Sequence, residues 1–315
     1  MIVKIERPFL DGSDNELDDK VFELCEMIKF GHYLDVDRVI EDDFIETIKK
    51  HARERHWTLI LMAMQKFDKE KSIRFFLTTN NFTQYSKEER KALFLTPSEL
   101  LVENAPNEWC IYCNIIKYYT NGRKFNNVAK YLNYAIKNGM IKSENLGGVT
   151  MIPSMLVHKN KTEFNNLYIN KVCVLFDRDK DNETDIDENK KKVFEALCNG
   201  IPFDKVTNDL VYRLDFQGNY VWHMWYKRAI ENYFPKENYE QLGVDMDSFK
   251  NNLPLDYQKF DDKKKTPRGY TKDMMQVISN GLSCDYFEKH TKHFCINGDD
   301  MSEIMLLLLK IAKIV

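Results

Sequence analysis

The apolar positions in the first third of the chain recur with the period of an α-helix. Between a capping residue, Ser13 or Asp14, and a stop signal at Gly31, apolar side chains return every three or four positions. These side chains are Leu17, Val21, Leu24, Cys25 and Ile28. Two further stretches, at 36–48 and at Trp57–Phe67, show the same helical spacing or are apolar enough to form a buried helix. The pattern predicts helices throughout this part of the chain.

The pattern changes at Pro97. Up to that residue, the periodicity predicts an all-helical N-terminal region, 1–96, which serves for packing or for docking a partner. Beyond it, short continuous apolar runs alternate with amphipathic stretches. The clearest run, Val172–Phe176, is partly β-branched, which is typical of a strand covered on both faces. The alternation predicts an α/β domain at 97–315, with a mostly parallel sheet flanked by helices.

Other elements of this domain follow from the same pattern. The expected strands are 99–103, 206–214 and 220–226, and the expected helices are 109–119, 128–136 and about 186–198. An apolar segment, 149–152, follows Gly147-Gly148, and the charged segment 256–273 is expected to be an exposed loop. The last helix, from about Ser302, is apolar on most faces and should therefore be buried or covered by a partner.

Composition and charge exclude some classes of protein. The 315 residues include 46 basic and 49 acidic ones, a net charge of −3, so the chain lacks the basic character of a protein that coats nucleic acid. An enzyme that acts on nucleic acid remains compatible, because only the local field at its site must suit the substrate. The seven cysteines, the absence of a signal peptide and the absence of a membrane-spanning apolar stretch predict a soluble, cytoplasmic protein that does not bind membranes.

Acidic residues follow two of the predicted strands. Asp177 and Asp179 come directly after 172–176, and Glu103 closes the run 99–103. Ligand sites of parallel sheets lie beyond the carboxyl ends of the strands, and carboxylates suit Mg²⁺ in phosphodiester chemistry. A D-x-D in a loop is most often a solvated turn. The occurrence of both motifs at strand ends of one α/β unit favours a site.

Glu231 is surrounded in sequence by apolar residues. Its neighbours Ile230 and Tyr233 predict a buried position, where a carboxylate needs a partner. One interpretation is a core glutamate paired with Arg228 or Arg213, and the other is a further acid of the site. The residues alone leave both open.

Three groups of residues, taken together, resemble the Toprim domain, which is named for topoisomerases and primases. They are Leu101-Val102-Glu103, Gly147-Gly148 and Leu175-Phe176-Asp177-Arg178-Asp179. A further motif, Arg228-x-Ile230-Glu231-Asn232-Tyr233, is similar to one in the overlapping-lysogenisation-defect (OLD) nucleases and in small relatives from bacterial anti-phage systems. The resemblance covers roughly 97–315.

The resemblance implies a nuclease that depends on Mg²⁺ or Mn²⁺ and hydrolyses phosphodiester bonds in DNA or RNA. Its catalytic, metal-binding acids would be Glu103, Asp177, Asp179 and Glu231, with Glu108 as an additional metal ligand. The OLD nucleases also carry an ATPase domain, whereas nothing in this chain matches a P-loop. The resemblance therefore implies a defence effector that works with a separate ATPase of the ABC or SMC type, docked by the N-terminal region. Assembly into a homo-oligomer is a further expectation.

The chain departs from the family pattern at several positions. Asn104 stands where family members usually have glycine, Asn107 stands at the place of a second acid with Glu108 one residue later, and Ala229 replaces a serine of some relatives. These departures support a second hypothesis, a catalytically degenerate Toprim-like regulatory or binding subunit. A third, nucleotidyl transfer as in primases, is weaker because the chain shows no template-gripping or zinc module.

Several basic residues are candidates for contact with nucleic acid. They are Arg178, Arg228, Lys289 and Lys292, and the densest basic stretch is Lys263–Lys272. Charged helix faces are usually only solvated, so a structural role stays open for each. Other motifs favour packing. The pair Cys110 and Cys113 falls in a helix pattern, the aromatic residues of 220–226 alternate as in a core strand, and His290-x-x-His293 lacks a neighbouring acid motif.

Overall fold

The computed structural model describes most of the chain. The described residues are 1–70, 75–103, 105–122, 126–145, 148–180, 186–198, 200–205, 220–245, 276–277, 279–296 and 298–315. The predicted strand 206–214, the predicted loop 256–273 and Gly147 lie outside them. No helix within the described ranges combines the length and the apolar character that a membrane span requires.

The N-terminal region is built on a small parallel sheet, so the prediction that it is all-helical is wrong. Strand β1 (Ile2–Ile5) lies between β2 (Tyr33–Val36) and β3 (Thr79–Asn81), and both neighbours run parallel to it. These strands are three or four residues long, and runs of this length are too short to show a period. Around them pack α2 (Glu41–His51) and α3 (Glu54–Lys69), which confirm the helices expected there.

The first helix, α1 (Asp14–Phe30), begins and ends where its sequence predicts. The carboxylate of Glu16 accepts a hydrogen bond from the backbone N–H of Ser13 at 2.7 Å, which satisfies a donor at the N-terminus. At the other end, Gly31 adopts a φ of +114° and donates its N–H to the carbonyls of Met27 and Ile28. A left-handed glycine of this kind is a common way to end a helix.

In the described part of the chain, the larger sheet has four parallel strands in the order β5-β4-β6-β7. They are β4 (Ser98–Val102), β5 (Ile141–Asn145), β6 (Val172–Phe176) and β7 (Val221–Met224). Three of them confirm predicted strands, and all five residues of β6 are buried, as expected of a strand covered on both faces. The chain leaves β4 towards β5 and returns on the opposite side as β6. The carboxyl ends of β4 and β6 therefore form the switch point at which such sheets bind ligands.

Helices cover both faces of this sheet. On one side, α5 (Ala105–Tyr119) and α6 (Asn126–Lys137) pack together, while α7 (Ile152–Thr162) contacts α8 (Glu188–Leu197). Right-handed crossovers place α7 and α8 on the opposite face from α5 and α6. The structure thus confirms the predicted α/β class, with parallel sheets flanked by helices. The predicted apolar segment 149–152 forms the turn that leads into α7.

The remaining elements are short except for the last one. They are α4 (Lys87–Arg90), α9 (Lys236–Glu240), α10 (Cys284–His290), the antiparallel hairpin of β8 (His293–Ile296) and β9 (Asp299–Ser302), and α11 (Glu303–Ile314). Helix α11 contacts α6, β6 and β7, and eleven of its twelve residues are buried. Burial of this helix, expected from its apolar faces, is confirmed.

The described residues form two hydrophobic clusters that stabilise the fold. One is formed by side chains of the N-terminal region, and the other surrounds the larger sheet. The second cluster also includes Ile2, Tyr33 and Phe67 from the N-terminal region, so the two parts pack against each other. Polar contacts join them as well, because the Thr78 hydroxyl donates to the carbonyl of Lys313 at 2.6 Å.

Candidate functional site

The carboxyl ends of β4 and β6 bring the first two predicted acids into contact. Leu101 pairs with Val174, so the neighbouring strands end at the same edge of the sheet. Glu103 follows β4 directly, and its Oε1 accepts a hydrogen bond from the backbone N–H of Asp177 at 3.0 Å. The structure therefore brings Glu103 and Asp177 together at the switch point.

The loop after β6 is joined to the segment after β7 by main-chain hydrogen bonds. The backbone N–H groups of Arg178 and Asp179 both donate to the carbonyl of Arg228, at 3.0 and 2.9 Å. In return, the N–H of Ile230 donates to Oδ1 of Asp177 at 3.1 Å. Asp179 has a φ of +58°, a left-handed conformation that aspartate tolerates better than most residues. These bonds bring the turn that carries Glu231, the next predicted acid, to the same edge of the sheet.

Carboxylates crowd around Asp177. Its side chain is half-buried, and burial is the main reason why its pKa is raised well above the usual range for aspartate. The nearby negative charges of Glu103, Glu231 and Glu108 raise this pKa further, while Lys190 acts in the opposite direction. Four of the five acids predicted from the sequence thus interact electrostatically around one side chain.

Lys190 completes the cluster, and the sequence patterns did not single it out. Its ammonium lies 2.5 Å from Oε1 of Glu103 and 2.6 Å from Oδ2 of Asp179, and its side chain is only 3% exposed. Burial lowers the pKa of Lys190, but the charges of Asp177, Glu103 and Asp179 outweigh it and raise the pKa above the usual range for lysine. The ammonium therefore stays charged and holds Asp179 to the rest of the cluster.

A helical pattern would have revealed Lys190. The side chain of Asp187 caps α8 by accepting the N–H of Asn189 at 2.9 Å. Lys190 lies three and four residues before the buried Val193 and Phe194, on the face that packs against the core. A lysine that continues an apolar stripe must find a buried partner, and here the partners are the acids of the neighbouring strand ends.

The two other predicted acids lie on different elements. Glu108 is on the first turn of α5, is 8% exposed, and accepts a hydrogen bond from the hydroxyl of Tyr112 at 3.2 Å. Glu231 lies half-buried in the short turn Ile230–Tyr233, and its carbonyl accepts a hydrogen bond from the Tyr239 hydroxyl. Arg213, one of the partners considered for Glu231, is outside the described residues.

The predicted basic contacts differ in accessibility. Arg178 is completely buried, with its guanidinium 5.7 Å from the centre of the Tyr226 ring. Binding of nucleic acid by Arg178 stays a prediction, and it would require this buried guanidinium to become exposed. Lys292 is exposed, and its ammonium lies 5.1 Å from the centre of the same ring. Lys289 is exposed on α10, and Arg228 is half-buried.

Other motifs have structural roles. Helix α10 ends at His290 and His293 opens β8, so these two imidazoles do not share a helical face. Cys113 lies in α5 as expected, and burial raises the pKa of its thiol to about 11. Trp222 and Trp225 are each 1% exposed, which confirms core packing for these aromatic residues rather than stacking on bases.

The cluster fits a divalent cation in its chemistry and charge. Its donors are carboxylate oxygens, which hard cations such as Mg²⁺ and Mn²⁺ prefer, and the negative charges around Asp177 require compensation. Within the described ranges, no three acidic, histidine or cysteine side chains are already arranged to ligate one ion. The ammonium of Lys190 takes a bridging position between two of the acids. Binding of a metal ion would therefore require the carboxylates to move closer together.

Comparison of the chain with protein-family models, with curated proteins and with solved structures gave no match. The Toprim-like interpretation therefore depends on the motifs and on the arrangement of the acids described above.

Proposed function

We propose that the protein is a divalent-metal-dependent nuclease that hydrolyses phosphodiester bonds in DNA or RNA. The observation that carries this proposal is the convergence of acids from three strand ends. Glu103 follows β4, Asp177 follows β6, and Glu231 lies in the turn after β7. An ion pair with a structural role seldom places several carboxylates around one acid. A metal ion that catalyses hydrolysis is commonly held by such a group of carboxylates.

Each residue has a defined part in this proposal. A bound Mg²⁺ or Mn²⁺ would activate water and stabilise the leaving oxygen. Asp177, Glu103 and Glu231 would hold the ion, and Asp179 would remain tied to Lys190. Lys292, exposed and close to the ring of Tyr226, would contact a backbone phosphate.

Charge explains why the metal ion would also control binding of the substrate. The acids around Asp177 repel a phosphate as long as no divalent cation compensates them. The chain as a whole adds no attraction, since its net charge is −3. We therefore expect weak binding of nucleic acid in the absence of a divalent cation.

The test is cleavage of labelled DNA and of total RNA by the purified full chain in Mg²⁺ or Mn²⁺. Replacing Asp177 by Asn, or Glu103 by Gln, should reduce cleavage by roughly 100-fold or more, because each removes a carboxylate that would bind the ion. Glu188→Gln is the matched control, since this glutamate on the first turn of α8 has a 77% exposed side chain. Undiminished cleavage by Asp177→Asn would refute the proposal.

One observation favours a second function, that of a catalytically degenerate regulatory subunit. Lys190 already binds two of the acids, and the described side chains hold no preassembled metal site. Calorimetric titration with Mn²⁺ separates the two functions. The nuclease should bind Mn²⁺ in a manner that depends on Asp177 and Glu103, whereas the degenerate subunit should not.

The resemblance extends the proposal to a biological setting. An effector of bacterial anti-phage defence would act together with a separate ATPase of the ABC or SMC type. Co-expression of candidate ATPases from such systems, followed by co-purification and a cleavage assay with and without ATP, tests this part independently of the metal site.

A further inference from the structure

The geometry around Lys190 points to a specific composition of the metal site. We infer that its ammonium is a built-in cation of the acid cluster, so that the cluster binds one divalent ion and not two. This inference rests on the proposed metal-dependent function and defines how the site is charged.

The first support for this inference is the position of the Lys190 ammonium between two carboxylates. Its Nζ lies between Glu103, which follows β4, and Asp179, which follows β6, at 2.5 and 2.6 Å. A cation that bridges carboxylates from two neighbouring strand ends is what one ion of a two-metal site provides. Lys190 supplies that positive charge from the protein itself.

Main-chain hydrogen bonds at the start of α8 position Lys190 at the cluster. The backbone N–H of Asp187 donates to the carbonyl of Arg178 at 3.2 Å, which fixes the start of α8 to the loop after β6. The N–H of Lys190 in turn donates to the carbonyl of Asp187 at 2.9 Å, and Val193 on the next turn is buried. With its side chain only 3% exposed, Lys190 holds its ammonium at the cluster rather than in bulk water.

The negative charge that Lys190 does not contact through an ion pair is centred on Asp177. Asp177 receives a backbone N–H from Ile230, and its carboxylate interacts with the charges of Glu231 and Glu108. Lys190 forms its ion pairs with Glu103 and Asp179, and it acts on Asp177 through its charge. A single divalent ion at Asp177 would compensate the negative charge that Lys190 does not neutralise.

The experiment counts Mn²⁺ ions bound to the full chain. Free Mn²⁺ is measured by electron paramagnetic resonance during titration, and calorimetry gives a second value for the stoichiometry. We expect one ion per wild-type chain and two per Lys190→Met chain, because removal of the ammonium opens the position between Glu103 and Asp179. Lys190→Arg keeps the charge and should bind one ion. Lys192→Met, at an exposed lysine of the same helix, should also bind one.

Thermal unfolding provides a readout even if Lys190→Met is poorly stable. Without its cation the cluster should repel itself, so we expect a lower Tm for this variant in a chelator, and a larger rise of Tm with Mn²⁺ than in the wild type. If the variant folds only in the presence of Mn²⁺, the inference is supported in the same way.

Failure of the inference and failure of the proposed function give different results. If the wild type binds no Mn²⁺ that Asp177→Asn abolishes, the proposed metal-dependent function is wrong. If both the wild type and Lys190→Met bind one Asp177-dependent ion, or if the wild type binds two, the function stands and the role assigned to Lys190 is overturned.

Discussion

Replacing Glu99 by Gln should destabilise the protein strongly without affecting the candidate site. Glu99 is at the start of β4, at the opposite end of that strand from Glu103, and its side chain is 1% exposed. Its carboxylate accepts the Tyr168 hydroxyl at 2.5 Å and forms ion pairs with Lys159 at 2.8 Å and with Lys142 at 3.0 Å. The substitution removes the most deeply buried of these three charges, since the side chains of Glu99, Lys159 and Lys142 are 1%, 10% and 49% exposed.

The structure sets the expected magnitude. Removing one partner of a buried ion pair costs about 3–5 kcal/mol, because the other charge remains buried without compensation. The lower end applies here, since Oε1 of Glu144 lies 3.8 Å from the ammonium of Lys159, and the Lys142 side chain is 49% exposed. We expect Glu99→Gln to lower the free energy of unfolding by about 3 kcal/mol.

A double variant separates the contribution of the Glu99–Lys159 ion pair from that of side-chain packing. Glu99→Leu combined with Lys159→Met replaces both buried charges by apolar groups and should cost less than Glu99→Gln alone. Glu26→Gln is the exposed control, because its pair with Lys29 has side chains 39% and 51% exposed and should contribute less than about 1 kcal/mol. Urea unfolding followed by tryptophan fluorescence gives these free energies.

The pH dependence provides an independent check. Burial raises the pKa of Glu99, but the hydrogen bonds from Lys159, Tyr168 and Lys142 outweigh it, and the pKa in the folded state lies below the ordinary value of 4.5. The stabilisation is therefore complete above the unfolded-state pKa and is lost as the pH falls through the folded-state pKa. The difference between wild type and Glu99→Gln should be constant at neutral pH and should shrink on acidification below about pH 4.5. A Glu99→Gln protein as stable as the wild type at pH 7 would refute this reasoning.

Two further predictions concern stability. Gly31→Ala should cost about 2 kcal/mol, since the backbone there is left-handed and a Cβ would lie 2.6 Å from Sδ of Met140. Gly139→Ala adds a Cβ in open space at a φ of +68°, so it measures the cost of a left-handed backbone without a steric clash. If both substitutions lower the free energy of unfolding in urea equally, the clash with Met140 contributes nothing. Burial lowers the pKa of Lys171 to about 7, so Lys171→Met should stabilise the protein at pH 6 by roughly 5 kcal/mol and by little near pH 10.5. A stability gain that does not decrease with rising pH would contradict this assignment.

The elements that the sequence predicts well are those in which one physical signal dominates. Helix α1 has a capping residue, a regular apolar stripe and a left-handed Gly31, and its observed bounds match them. Strand β6 is a continuous apolar run because helices cover both of its faces. Helix α11 is apolar on nearly every face because it is buried against the sheet and α6.

The elements that sequence patterns miss are short or polar. Strand β5 reads Ile-Lys-Ser-Glu-Asn, because it lies at the edge of its sheet and only Ile141 is buried. Strand β3 contains Asn80 and Asn81, which are buried and form hydrogen bonds to other side chains. Amphipathic periodicity carries no information on such strands, because tertiary hydrogen bonds rather than apolar burial hold them.

The sequence predicts which acids form the candidate site, but it does not predict which basic residues contact them. Glu103 and Asp177 end apolar strands, and parallel topology alone brings such ends together. The burial of Arg178, by contrast, is visible only in the packed structure. The apolar stripe of α8 indicates that Lys190 is buried, but only the structure shows which acids it contacts. Whether a basic side chain faces water or a carboxylate depends on neighbours that are distant along the chain.

The carbonyl of Arg228 accepts the backbone N–H groups of both Arg178 and Asp179, and this has a consequence for how the site tolerates mutation. Every amino acid carries that carbonyl, so a library randomised at position 228 should retain the hydrogen bonds that hold the loop of Arg178 and Asp179. Position 179 is restrictive, because a φ of +58° admits Asp, Asn and Gly far more readily than β-branched residues. Divergent sequences could therefore keep the same arrangement of acids through main-chain geometry, while most of the surrounding side chains change.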